Sequence, residues 1–127
     1  MKNIGIVVGV LLIVFGIGFV FKSKQKPQVL GQTAFVPDKT FEIKGLNYAY
    51  DVKEIRVKLN DKVKINFTNT EGFHDFRIDE FGVATKQIPT GQSESVEFVA
   101  NKTGTFEYYC SVGQHRANGM WGKIIVE

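Results

Sequence analysis

From Thr40 to the end of the sequence, apolar residues recur at every second position in short runs, and that alternation leaves few folds open. Phe41 and Ile43; Ile55, Val57 and Leu59; Val63, Ile65 and Phe67; Phe76 and Ile78; Val96 and Phe98; Phe106 and Tyr108; Ile124 and Val126 each keep period two. A period of two turns one face of a strand to a core and the other to water. Between the runs stand Asn60-Asp61, Asn69-Thr70-Glu71-Gly72, Pro89-Thr90-Gly91-Gln92 and Asn101-Lys102-Thr103-Gly104. Asn, Asp, Gly and Pro reverse a chain at little cost, so these segments are expected to be turns. Short half-buried strands at this spacing predict an all-β fold, an antiparallel Greek-key β-sandwich with no helix of its own. The 11 Phe residues supply the volume for its core.

The start of the chain obeys another rule. Ile4 to Phe21 is eighteen residues without a charge, roughly 27 Å of helix and close to the thickness of a bilayer's hydrocarbon layer. No pair of small residues follows it at a cleavage-like spacing, and no Cys stands there for lipid attachment. An uncleaved transmembrane helix is therefore preferred over a removed signal peptide. Residues 22–37, KSKQKPQVLGQTAFVP, are polar at first and carry Pro27, Gly31 and Pro37. They are expected to tether the domain, although Val29-Leu30 and Ala34 to Val36 could instead begin its first strand. The resulting division is 1–21 anchor, 22–37 tether and 38–127 folded domain.

The formal charge of +3 suggests a nucleic-acid partner until it is divided along the chain. Four of the 16 basic residues and none of the 13 acidic ones precede Pro27, so the remainder carries 12 against 13, a net −1. Phosphate binding then lacks its main driving force, and no nucleic-acid partner is expected.

One stretch carries the chemistry. FEYYCSVGQHRANGMWGKIIV, residues 106–126, holds the only cysteine, Cys110, one of the 2 histidines, His115, and the only methionine beyond the initiator, Met120. Their order is C-x4-H-x4-M, and alternating runs on both sides place them on a loop between two strands. Thiolate and thioether suit Cu(I), and imidazole suits both copper states. Two His and one Cys in a plane beneath a distant Met is a type 1 copper arrangement. The loop offers three donors, and the remaining histidine is His74. Parity agrees: Phe106, Tyr108 and Cys110 share a face, as do Met120, Gly122, Ile124 and Val126, and His74, Phe76 and Ile78. Taken singly, such a Cys or Met is more often core filling, and such a His a hydrogen-bonded residue. Their concurrence favours a metal site capping one end of the core. By the same parity, Trp121 faces away from Met120.

The 106–126 loop, with NTEGFHDF at residues 69–76, resembles the two ligand segments of the cupredoxins, the plastocyanin and azurin family. The loop spacing is most similar to that of auracyanins and rusticyanins, and the resemblance covers roughly residues 38–127. It implies one type 1 copper ion held by His74, Cys110, His115 and Met120. It also implies single-electron transport rather than an enzymatic activity, and a monomeric domain. Redox partners would dock near His115, on a rim of Phe73, Val112, Gly113 and Ala117. Arg116 departs from that apolar rim, as a steering charge or a solvated one. In the family the residue after the first His is commonly Asn, tied to a Ser or Thr following the Cys. Here Ser111 matches and Asp75 departs. Its carboxylate would either favour Cu(II) by charge or accept hydrogen bonds across the loop. Charge counting around the apolar run places the domain in the cytoplasm, whereas the resemblance places it outside, membrane-anchored at the periplasmic or cell-surface side. The outside placement is the expectation adopted.

Other chemistries fit less well. A copper carrier or chaperone outside the cytoplasm would use the same donors and is the alternative. A thiol enzyme with Cys110 activated by His115 lacks an orienting acid at a motif-like spacing. A two-copper centre needs a second loop Cys where Gln114 stands, and multicopper enzymes need histidines that this chain does not have.

Overall fold

Over most stretches in which side chains alternate between apolar and polar, the chain is extended. The computed structural model describes residues 34–127; the expected anchor and nearly all of the tether lie outside the described residues. Eleven strands follow one another: β1 (Lys39–Leu46), β2 (Ala49–Tyr50), β3 (Glu54–Val57), β4 (Lys62–Asn69), β5 (Phe73–His74), β6 (Arg77–Ile78), β7 (Val83–Ala84), β8 (Ile88–Pro89), β9 (Ser93–Val99), β10 (Gly104–Tyr109) and β11 (Trp121–Val126). Among the described residues the one helical element is a 3-10 turn, Asp79–Phe81, and no helix is long and apolar enough to cross a membrane. Ala34 to Val36 have no regular structure, so the first strand does not begin there.

The strands form a four-stranded sheet in the order β2-β1-β4-β9, a five-stranded sheet in the order β3-β11-β10-β6-β7, and the small pair β5-β8. The expectation of a purely antiparallel fold is corrected, because β1 runs parallel to β4 and β3 parallel to β11. The cause lies in the connections. After the β1-β2 hairpin the chain joins the other sheet as β3 before returning as β4, and a strand that comes back from another sheet is free to run in its neighbour's direction.

Period-two faces become the two sides of one core. Ile43, Val63, Ile65, Phe67, Val96 and Phe98 come from the four-stranded sheet, and Ile55, Val57, Ile78, Tyr108, Ile124 and Val126 from the five-stranded one, all buried. Leu59 is an exception, 44 % exposed. Its strand ends at Val57, because Lys58 N–H donates to Asp61 Oδ2 and Asp61 N–H returns to the Lys58 carbonyl, closing a turn. Asn69 is the reverse case: expected in a turn, it ends β4 with its side chain fully buried.

At one end the core is aromatic. Tyr50 meets Phe67, Phe76 and Tyr108 edge-on, with ring centroids 5.6–6.0 Å apart. The Tyr50 hydroxyl donates to the Asp75 carbonyl at 2.6 Å, and that of Tyr108 to the Val52 carbonyl at 2.7 Å. Burying such a ring is worth about 1.5–3 kcal/mol, more than one hydrogen bond contributes, so this cluster is the floor on which the adjoining loops are built.

Tyr108 has room only because Gly122 lies opposite it in the β10-β11 register. A Cβ on Gly122 would stand 2.3 Å from a Tyr108 ring carbon. Gly122→Ala is therefore expected to destabilise the domain by about 1–3 kcal/mol through overpacking, read as a lower urea midpoint with an unchanged slope. An unchanged midpoint would mean that the ring is not confined there.

Candidate metal centre

His74 arrives on a strand of two residues, too short to hold itself. Its backbone pairs with Ile88 across β5-β8, and side chains brace the preceding turn. Asn69 Nδ2 donates to the Gly72 carbonyl at 2.8 Å and to the Ile88 carbonyl at 2.9 Å; Thr70 Oγ1 donates to the Gly45 carbonyl and Thr90 Oγ1 to that of Gly72. Asn69 is turned inward, where its one amide group ties the Gly72 carbonyl of the turn to the Ile88 carbonyl of β8. Composition marked the segment as a turn, but a buried peg at its first position has no signal in a turn-residue pattern.

The other donors leave the paired strands β10 and β11. Cys110 follows β10 and Met120 precedes β11, and the Cys110 N–H donates to the Met120 carbonyl at 3.1 Å, closing the loop at its base. Inside it, His115 N–H bonds to the Val112 carbonyl at 3.0 Å and Met120 N–H to the His115 carbonyl at 2.9 Å. The imidazole is thereby carried back over the end of the core.

The structure brings three of the four expected donors to one point. His74 Nδ1 and His115 Nδ1 are 3.0 Å apart, and Cys110 Sγ lies 3.8 Å from the first and 3.6 Å from the second. With bonds of about 2.0–2.3 Å to one first-row ion, the two edges to sulfur match an angle of about 120° at the ion and the shorter nitrogen–nitrogen edge an angle of about 97°, so the triangle can close around a single ion. Met120 is fully buried in the same apolar cluster as Cys110. His74 and Cys110 are closed off from water, and His115 is half-buried.

Burial sets the charge states. It lowers the pKa of His74, as does neighbouring His115, while the Glu71 and Leu46 carbonyls and Asp75 act weakly the other way. Nδ1 is the His74 nitrogen that faces the other two donors, while Nε2 is buried with no hydrogen-bond partner of good geometry. Burial pushes the Cys110 thiol up, against the backbone N–H groups of Asp75 and Val112, which pull it down; the Asp75 carboxylate adds to the rise. Without metal, His74 is a neutral imidazole and Cys110 a protonated thiol, both able to bind an ion once the thiol proton leaves.

Around the donors, some expectations change. Asp75 does accept hydrogen bonds across the loop: Oδ1 from Ser111 N–H at 2.6 Å and Oδ2 from the Ser111 hydroxyl. Arg116 is half-exposed and paired within its own domain. Its Nε donates to Glu107 Oε1 at 2.6 Å, and its guanidinium lies 3.9 Å from the centre of the Tyr109 ring. Trp121 is exposed on the outer face of β11, as parity requires. A shallow depression over His115 is lined by Asn47, Tyr48, Gly72, Phe73 and Val112; Gly113 and Ala117 are exposed but do not line it.

Tyr48 was not marked by the sequence. Its ring stands edge-on to His115, centroids 4.7 Å apart, and it has φ +51°, uncommon for a residue with a side chain,. It occupies the tip of the β1-β2 hairpin, fastened to the His74 turn where Asn47 N–H donates to Glu71 Oε2 at 3.0 Å. The Gly45-Leu46-Asn47 sequence before it is a turn signal, but nothing local shows that the turn reaches His115.

Comparison with known proteins bears on the same residues. The copper-containing nitrite reductase of Neisseria meningitidis is 33% identical over 101 residues, 65% of this chain, and the nitrous-oxide reductase of Stutzerimonas stutzeri 36% identical over 84 residues, 62% of this chain. The chain spans only 26% and 13% of those two proteins. Among solved structures, dithionite-reduced auracyanin from Roseiflexus castenholzii superposes with a TM-score of 0.63 at 28% identity, covering 72% of this chain and 99% of that one. Auracyanin A of Chloroflexus aurantiacus, described as a "blue" copper protein, shares the fold with a TM-score of 0.61 at 21% identity, covering 69% and 98%. The family model of the cupredoxin-like domain matches residues 10–126, nearly the whole chain, and with the strand order and clustered donors it establishes that the chain belongs to the cupredoxin-like family.

Proposed function

We propose that this chain is a type 1 copper protein that carries single electrons. His74, Cys110, His115 and Met120 would hold the ion. The observation that carries the reading is the donor triangle, with every edge between 3.0 and 3.8 Å, at the end of a strand scaffold. Thiolate, thioether and two imidazoles are a set that accepts both Cu(I) and Cu(II), which is what one-electron exchange requires of a bound ion. Four protein donors leave no position for a substrate, which supports transfer over catalysis.

The scaffold's part is to keep the donors still. Cys110 and Met120 are fixed by the β10-β11 register, and His74 by the Asn69 peg. His115 alone of the two imidazoles reaches the surface, so redox partners are expected at the Tyr48, Phe73 and Val112 depression. From the sequence, residues 1–21 would anchor the domain, residues 22–37 would tether it, and it would work outside the cytoplasm, as a monomer.

Adding Cu(II) to the purified chain is expected to produce an intense thiolate charge-transfer band toward the red end of the visible spectrum, and Cys110→Ser to abolish it. Chemical reduction and reoxidation should bleach and restore the band without loss of metal. Metal released on reduction would instead indicate a copper carrier, and no band at all would overturn the site.

Because burial keeps the Cys110 thiol protonated at neutral pH, copper uptake is expected to release about one proton from this group per ion, and to weaken as pH falls,. Calorimetric titration in buffers of different ionisation enthalpy measures the number. Uptake with no proton release would mean that the sulfur is not a ligand.

A further inference from the structure

Asp75 is the one buried carboxylate among the described residues, 2 % exposed. No Lys or Arg among the described residues lies within ion-pair distance of it. Its side-chain partners are the N–H and hydroxyl of Ser111, both neutral, and its own carbonyl is held by the Tyr50 hydroxyl. An ionised carboxylate taken out of water without a cation is costly, and two neutral donors offset only part of that cost. Something near it should carry positive charge.

Position identifies what that is. Asp75 follows His74 in the chain, and the residue it clasps follows Cys110, so the carboxylate stands directly behind two of the donors. A divalent ion bound by one thiolate leaves the centre with a net charge of about +1, and a monovalent ion leaves it neutral. A fixed negative charge nearby stabilises the first state and does nothing for the second. We infer that Asp75 sets the redox preference of the centre: its carboxylate, held by Ser111 and unpaired with any Lys or Arg among the described residues, favours Cu(II) and lowers the reduction potential. Asp75 is a positioning residue in this account, acting from behind Cys110 and His74 without touching the ion. The inference rests on the copper reading above and adds to it which state the protein favours, and through which atoms.

The rival account is mechanical, with the clasp merely fastening the His74 turn to the Cys110 loop. Asp75→Asn separates the two, because the amide can accept from Ser111 N–H through Oδ1 and donate to Ser111 Oγ through Nδ2, keeping both contacts while removing the charge. Ser111→Ala does the opposite, breaking one contact and keeping the charge.

The experiment is a redox titration of the copper-loaded full chain, following the thiolate band in the unaltered protein and both variants. D75N is expected to keep the band and shift the Cu(II)/Cu(I) equilibrium at least tenfold toward Cu(I), about 59 mV upward for a one-electron couple, while S111A does not raise the potential. A D75N chain with the band intact and the potential unmoved would overturn the inference. Equal rises in both variants, or loss of copper binding in D75N, would overturn it in favour of the mechanical clasp. Should D75N fail to fold, a rise in S111A alone would overturn it as well. Failure of the unaltered chain to form the band is a separate result, and it would remove the copper reading itself.

Discussion

Two imidazole nitrogens and a thiol held within 4 Å of one another, with His74 and Cys110 out of water and His115 half-buried, are a burden on a folded protein unless something binds between them. Their lone pairs converge, and the groups have exchanged water for each other and for apolar neighbours. The pKa directions record this: both His74 and Cys110 are pushed toward their neutral forms, and burial is the largest cause for each. The rest of the domain supplies the stability that keeps this arrangement assembled before any ion arrives. Fixing donors in advance also means that a change of charge on the ion finds the same geometry around it, and little rearrangement is needed.

The frame does this by unequal means. Cys110 and Met120 sit at the ends of two long paired strands, where register alone defines their separation, and the Cys110 N–H to Met120 carbonyl bond extends that ladder one step further. His74 has no such support. Its two-residue strand depends on Asn69, whose removal would take a donor from the Ile88 carbonyl and leave that of Gly72 with Thr90, at a cost of about 1–3 kcal/mol,. The two ligand segments then meet over the same floor, where Tyr50 and Phe76 touch, and they are joined above it by Asp75 and Ser111. One donor thus rests on strand pairing and another on buried polar pegs.

The division between what was legible in the sequence and what was not follows the range of each interaction. Alternation reports which face of a strand is buried, so it revealed the longer strands β1, β3, β4, β9, β10 and β11, the inward turn of Cys110 and Met120, and the outward turn of Trp121. It missed the two-residue strands β2, β7 and β8, and ran His74 to Ile78 together where the chain forms β5 and β6 in different sheets. His74 followed by elimination, being the only histidine left. Alternation says nothing about which strand lies alongside, and the parallel β1-β4 and β3-β11 pairs were therefore missed. Composition misread Asn69, because an Asn that caps a turn and an Asn that satisfies distant carbonyls look alike until the carbonyls are placed. Leu59 failed for the converse reason: a local Lys58-Asp61 turn ended the strand while the apolar pattern continued by chance. Tyr48 and the Arg116-Glu107 pair depend on contacts that no local pattern encodes.

The asymmetry between the two histidines bears on how an electron carrier of this design would meet its partners. His74 is closed in by its own turn, so the surface route leads through His115 and the Tyr48 ring against it. Among the described residues no Asp, Glu, Lys or Arg lines that opening, and the nearest cation in the loop, Arg116, is already committed to Glu107 and Tyr109. A face of that kind gives little long-range steering, so association there would be governed by shape and by a modest apolar contact, with weak dependence on salt. Contacts of this size release quickly, and quick release suits a shuttle that must leave one partner before reaching the next. Charge on such a protein is then more useful behind the centre than in front of it, where Asp75 can act on the equilibrium without altering what docks.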